Sequence, residues 1–174
     1  HCWYKHGHGN INLSQAIERS CDVFFYELGL KVGIEKISVM LKKLGLSSDF
    51  GLELNEIRKG LVPSKKWKLD VKGTKWTPGE TINSSIGQGY MLSSPVELAT
   101  MVARIANSKD LVEPTLLTNK KNSFSKLDIN LNHLNYIKKA MSNVVNSEFG
   151  TAYKSKLNLA NFKMAGKTGT VQVV

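Results

Sequence analysis

The sequence predicts an α+β fold, on three observations. Apolar residues recur at helical spacing in several blocks before residue 150, each punctuated by capping residues or glycine. The stretch from Lys163 to Val174 instead alternates, with β-branched residues, and reads as a strand. Between the helical blocks, residues 46–93 carry short apolar pieces, Pro63, Pro78 and several glycines, and read as a long loop-rich crossing anchored by Trp67 and Trp76. A chain of 174 residues suffices for one domain with its own core.

In order, residues 1–10 (HCWYKHGHGN) show no period and read as a loop. Asn12 and Gln15 have capping-box spacing, so a helix starts there and carries Leu13, Ala16 and Ile17. Ser20-Cys21-Asp22 restarts a helix whose Phe24, Phe25, Leu28 and Val32 share a face, ending at Gly33. A further helix carries Ile34, Ile37, Leu41 and Leu44 and stops at Gly45. Ser94-Pro95-Val96-Glu97 writes another helix start, with Ser as N-cap, Pro at N1 and Glu closing the box. Residues 107–131 are polar, with a short strand expected near Leu116-Leu117. His133 to Phe149 is amphipathic through Leu134, Ile137, Met141, Val144 and Val145, and Gly150 closes it.

No apolar run reaches the roughly 18 residues of a membrane-spanning helix. The chain starts at His1 and ends in Val171-Gln172-Val173-Val174, which reads as an internal fragment of a longer protein. Twenty-four basic against fourteen acidic side chains give a charge of +10. Only Arg19, Arg58 and Arg104 are arginines, and the lysines are scattered. Readers of nucleic acid lean on the bidentate arginine fork, so the charge reads as a solvated basic face and no nucleic-acid partner is expected.

Three short strings follow one another: Ser20-Cys21-Asp22, Gly87-Gln88-Gly89, and Lys167-Thr168-Gly169-Thr170. Singly, Ser20 is better explained as a helix cap and Lys167 as an exposed lysine. Together they make chemical sense. An ammonium and a hydroxyl at Lys167 and Thr168 suit a substrate carboxylate, Gly169 leaves room for a substrate backbone, and Ser20 can pass protons across the cleft. S-x-D at a helix start followed by K-T-G on a strand gives two of the three signatures of penicillin-recognising serine acyltransferases.

The longer strings GHGNINLSQAIERSCDVFFYELG, INSSIGQGYMLSSPVELATMVARIAN and GTAYKSKLNLANFKMAGKTGTVQ resemble the transpeptidase domain of class B penicillin-binding proteins, in particular the elongation-specific peptidoglycan D,D-transpeptidases. The resemblance implies a helical subdomain packed on an antiparallel sheet that is incomplete here. It also implies cross-linking of stem peptides ending in D-Ala-D-Ala, covalent capture of β-lactams, contacts with membrane proteins of the elongation machinery, and a place on the periplasmic face of the bacterial inner membrane. Carried over by residue, Ser20 assists proton transfer, and Asp22 stands where most of the superfamily has Asn. Lys167, Thr168 and Gly169 bind substrate, and the Thr170 N–H supplies half of the oxyanion hole. Gly87-Gln88-Gly89 shapes the cleft floor. The nucleophile motif Ser-x-x-Lys is expected upstream of His1, so the chain alone is expected to be inactive. Ser123-Phe124-Ser125-Lys126 fits the string in a polar stretch, on the wrong side of Ser20, and reads as a decoy.

Cys2, His8 and Cys21, spaced C-x5-H-x12-C, are a second constellation. Thiolate and imidazole are zinc ligands, and His6, His1 or an upstream residue would complete a structural set of four. A Cys2–Cys21 disulfide and two unlinked thiols remain open beside it. Among functions, a β-lactamase or β-lactam sensor of the same superfamily and a zinc-stapled non-catalytic scaffold are the alternatives to the transpeptidase.

Overall fold

The computed structural model describes residues 2–52, 58–117, 123–159 and 161–170. They contain seven α-helices, a 3-10 turn at Tyr153–Ser155, and no β-ladder longer than an isolated bridge. None of these helices is long and apolar enough to cross a membrane. The chain divides into two compact units, one formed by His1–Phe25 with Asn130–Val174, the other by Tyr26–Ile129.

The first unit is built on α1 (Leu13–Glu18) and α7 (Leu131–Asn146). The expected capping box starts α1: Asn12 Oδ1 accepts the Gln15 N–H at 3.0 Å, and Gln15 Oε1 accepts the Asn12 N–H at 3.0 Å. On α7, the N-cap Asn130 accepts the Asn132 N–H at 2.8 Å. This helix begins two residues before the expected His133, with Asn130 as its N-cap. Ile17, Ala140 and Val144 form the buried centre, with Leu13, Phe25, Ile137 and Ala152 packed around it. Burial of an Ile or Val side chain in such a centre contributes about 1.5–3 kcal/mol. Across the same interface the Ser14 N–H donates to the Tyr136 hydroxyl at 3.1 Å.

After α7 the chain turns through Gly150. A Cβ there would lie 2.3 Å from the Val144 carbonyl oxygen and 2.5 Å from that of Asn143, so only glycine fits. Residues 164–166 then lie against α7. The Gly166 N–H donates to Met141 O at 3.1 Å, and Asn146 Nδ2 donates to Met164 O at 2.9 Å. The strand expected over Lys163–Val174 is not formed by its described residues, and 171–174 lie outside them. A strand is a ladder property, and here the backbone groups are met by a helix carbonyl and a side chain instead of a neighbouring strand.

Helix α2 (Asp22–Val32) begins in the first unit and continues into the second. In the second unit, Gly29 lets α2 pass close to α5, since a Cβ would lie 2.5 Å from Ser85 Cβ. Gly33 separates α2 from α3 (Ile34–Lys43) as expected. The loop-rich expectation for 46–93 is corrected by two helices, α4 (Lys65–Lys72) and α5 (Pro78–Ser85). Both signals are local. Ser64 Oγ accepts the Trp67 N–H at 3.1 Å, and Glu80 reaches back to the Thr77 N–H at 2.7 Å. Thr77-Pro78-Gly79-Glu80 has the same form as Ser94-Pro95-Val96-Glu97. Apolar periodicity misses α4 because its inward face is held by charge: Lys68 pairs with Glu80 at 2.5 Å and donates to Lys75 O at 2.8 Å.

Helix α6 (Pro95–Asn107) starts at the expected box. Glu97, 1% exposed, also accepts the Gly60 N–H at 2.9 Å and the Ser94 N–H at 2.8 Å, tying the 58–62 stretch to the helix start. Beside it Leu61 and Leu92 form a bridge. Arg104 is buried and donates to Val112 O and Lys43 O, both at 3.0 Å. The strand expected near Leu116-Leu117 is absent. Both side chains are exposed, and pairing occurs instead between Asp110 and Lys126. Gly87 and Gly89 both adopt positive φ in a tight turn before α6, a conformation that suits glycine.

Candidate active site

The link between α1 and α2 sets the site. After Arg19 the chain closes with Ser20 N–H on Ile17 O at 3.3 Å and Cys21 N–H on Ala16 O at 3.0 Å. Ser20 is thereby held at φ 50°, in the left-handed region, which costs a non-glycine residue about 1–2 kcal/mol. Its hydroxyl does not cap α2. It meets Lys167 Nζ at 2.5 Å, Thr168 Oγ1 at 3.1 Å and Thr151 Oγ1 at 3.3 Å.

Lys167 arrives on the segment docked along α7, and its ammonium also donates to Thr168 O at 3.1 Å and to Thr168 Oγ1 at 3.3 Å. The Lys167 side chain thus spends its donors inside the cluster. Burial of the ammonium lowers its pKa from the ordinary lysine value, and the carboxylate of Asp22 opposes that shift. The cluster therefore gathers Ser20, Lys167 and Thr168 with Asp22 close enough to act on the lysine. Gly169 and Thr170 follow on the same exposed segment, and nothing lies within 4 Å of where a Gly169 side chain would begin. That open face is what a substrate backbone needs in order to approach.

Two participants were not assigned from sequence. Thr151 stands within GTAYK, one of the strings that carry the resemblance, but nothing local marks its hydroxyl. Its Oγ1 lies 2.9 Å from Thr168 Oγ1. Trp3 is the other. Its indole Nε1 forks between Arg19 O at 3.1 Å and Ser20 O at 2.9 Å, and its backbone N–H donates to Asp22 Oδ2 at 3.2 Å. The N-terminal loop thus grips both sides of the Ser20 turn.

Trp3 sits beside the second constellation. The ligand atoms of Cys2, His8 and Cys21 all lie within 4.8 Å of one another, and Cys2 Sγ is 3.4 Å from His8 Nδ1. Bond lengths to zinc of about 2.3 Å for sulfur and 2.0–2.1 Å for nitrogen put neighbouring tetrahedral ligands roughly 3.5 Å apart, so this donor set fits one zinc ion. Both cysteines are free thiols. Burial raises the pKa of the Cys21 thiol, a hydrogen bond from the Phe24 backbone opposes this, and the neighbouring Cys2 pushes it up further. The His8 ring packs against Trp3 and Tyr4, with centroids at 5.7 and 5.2 Å.

Ser123-Phe124-Ser125-Lys126 lies outside any helix, with Ser125 O accepting the Leu111 N–H at 2.8 Å beside the Asp110–Lys126 bridge. It lacks the helix start on which a serine and a lysine one turn apart would share a face.

The family described as penicillin binding protein transpeptidase domain matches residues 1–174. The peptidoglycan D,D-transpeptidase MrdA of Salmonella typhimurium is 33% identical over 98% of this chain and 29% of that protein. Penicillin-binding protein PBP2 of Helicobacter pylori, solved in complex with MreC, superposes with a TM-score of 0.90 at 36% identity, over 99% of this chain and 32% of that one. PBP2 of Pseudomonas aeruginosa, in complex with WCK 5153, gives 0.86 at 32% identity, over 99% and 39%. The chain thus spans under a third of the MrdA relative's length.

Proposed function

This chain belongs to the penicillin-binding protein transpeptidase family, and on that premise we propose that the full protein is an elongation-type peptidoglycan D,D-transpeptidase. The reading is supported above all by one observation, the Lys167 ammonium on the Ser20 hydroxyl with Thr168 beside both.

The reaction runs in two steps. A nucleophilic serine, supplied by a part of the protein outside these 174 residues, attacks the carbonyl of the penultimate D-alanine of a donor stem peptide. The peptide C–N bond breaks, and the terminal D-alanine leaves with a proton on its nitrogen. The amine of an acceptor stem then attacks the resulting ester, the new amide forms, and the serine regains its proton. A β-lactam takes the first step only, its ring amide opening to a lasting ester.

In this scheme Ser20 relays the proton between nucleophile and leaving nitrogen. Lys167 and Thr168 hold the carboxylate of the D-alanyl terminus, Asp22 sets the charge around Lys167, and the open face at Gly169 admits the peptide. The Thr170 N–H stabilises the developing oxyanion. Cys2, His8 and Cys21 hold a structural zinc, which pins the N-terminal loop so that Trp3 fixes the Ser20 turn. The protein works on the periplasmic face of the inner membrane, with MreC-like elongation proteins as partners, as PBP2 of Helicobacter pylori is found with MreC.

The test is labelling of the full-length protein by a fluorescent penicillin. The parent acquires a long-lived label, and Ser20→Ala slows its formation by about 10²-fold or more, the range of a lost proton-transfer group. A parent that takes no label refutes the transpeptidase reading, and rapid release of the label points to a β-lactamase instead.

A further inference from the structure

We propose that Thr151 is a positioning residue for Ser20, its hydroxyl fixing the direction in which the Ser20 proton points. The proposal rests on the transpeptidase reading above.

Three hydroxyls form a closed triangle, with Ser20–Thr151 at 3.3 Å, Thr151–Thr168 at 2.9 Å and Ser20–Thr168 at 3.1 Å. Each has one proton to give and two lone pairs to receive. Lys167 fills one lone pair of Ser20. One threonine can then donate to the remaining lone pair while Ser20 donates to the other threonine, so both neighbours are needed to fix the rotor.

The backbone brings Thr151 there with little freedom. Its N–H donates to Glu18 O at 3.2 Å, at the end of α1 and two residues before Ser20. The next N–H, of Ala152, donates to Val144 O on α7 at 3.0 Å. Gly150 permits this close seating. Thr151 is therefore anchored independently of the Lys167 segment.

The consequence is a division of labour. A substrate carboxylate engaging Lys167 and Thr168 draws both away from Ser20. Thr151 is the partner that stays, so its hydroxyl matters most when substrate is bound. Losing it reduces the acylation rate at saturation and leaves apparent affinity nearly unchanged, the mark of an interaction used in the reaction more than in binding.

The test measures acylation by a fluorescent penicillin against concentration, in the full-length protein, for Thr151→Val and Thr151→Ser. Val keeps the shape and the backbone bonds, and Ser keeps the hydroxyl. The expected result is an approximately tenfold or greater loss of saturating rate for Val, apparent affinity within about twofold, and recovery towards the parent for Ser. In a Ser20→Ala background, Thr151→Val adds little further loss, a non-additivity that general destabilisation would not produce. A Val variant labelling at the parental rate, equal losses for Val and Ser, or full additivity with Ser20→Ala overturns the proposal. Those outcomes are read against a parent that labels. A parent that does not label removes the transpeptidase reading and this proposal with it.

Discussion

Replacing Gly150 by alanine tests how the site is assembled. The new Cβ would fall 2.3 Å from Val144 O, 2.5 Å from Asn143 O and 2.6 Å from Val144 C, all backbone atoms of the last turn of α7. Real contacts of this kind do not fall below 3.0 Å, and no flexible side chain is present to yield. The 150–152 turn must therefore lift off α7. Overpacking of this kind costs about 1–3 kcal/mol. Lifting also strains the Ala152 N–H bond to Val144 O and the Thr151 N–H bond to Glu18 O, each worth about 1 kcal/mol. The sum is about 3–5 kcal/mol, and Thr151 Oγ1 moves away from Ser20 with the turn. Thermal melting and penicillin labelling of the full-length protein provide the assay. Lower melting is expected with slower labelling that persists well below the new midpoint. Parental melting together with parental labelling would refute the argument that this close seating builds the site.

Two further outcomes are expected. Full-length protein purified without chelator carries about one zinc per chain, and Cys2→Ser loses it as read by elemental analysis; a parent free of zinc refutes the assignment. Burial raises the Glu80 pKa, but hydrogen bonds from Lys68 and from Thr77 outweigh it, so the folded value lies below the ordinary 4.5. A depressed carboxylate stabilises the fold above its unfolded pKa and loses that contribution as pH falls through the folded value. Glu80→Gln, which leaves the buried Lys68 without its charged partner, is therefore expected to cost about 2 kcal/mol near neutrality, the range of a hydrogen bond between charged groups. The melting gap between parent and variant should close below the ordinary glutamate value; a gap constant with pH contradicts the ion-pair account.

The family was legible in the sequence, because Ser20-Cys21-Asp22, Lys167-Thr168-Gly169-Thr170 and their flanks stand in order along the chain. Helix starts were legible wherever capping is local. Asn12 with Gln15 and Ser94 with Glu97 each act over three residues, and both boxes form as read. The same logic applied to Ser64 and Thr77 would have found α4 and α5. The inward face of α4 depends on Lys68 meeting Glu80, a pairing that apolar periodicity cannot register.

Contacts between distant parts of the chain were decided only by tertiary structure. Ser20 and Thr151 are 131 positions apart, and Ser20 and Lys167 are 147 apart. They meet because α1 and α7 bury a shared apolar face and Gly150 lets the returning chain sit against it. Packing likewise replaced the expected strand at Lys163 with a segment held by α7, since a ladder forms only where another strand lies alongside. The sequence determined which residue types the chemistry has to work with. The burial of one helix face against another determined which of their atoms lie within hydrogen-bond reach.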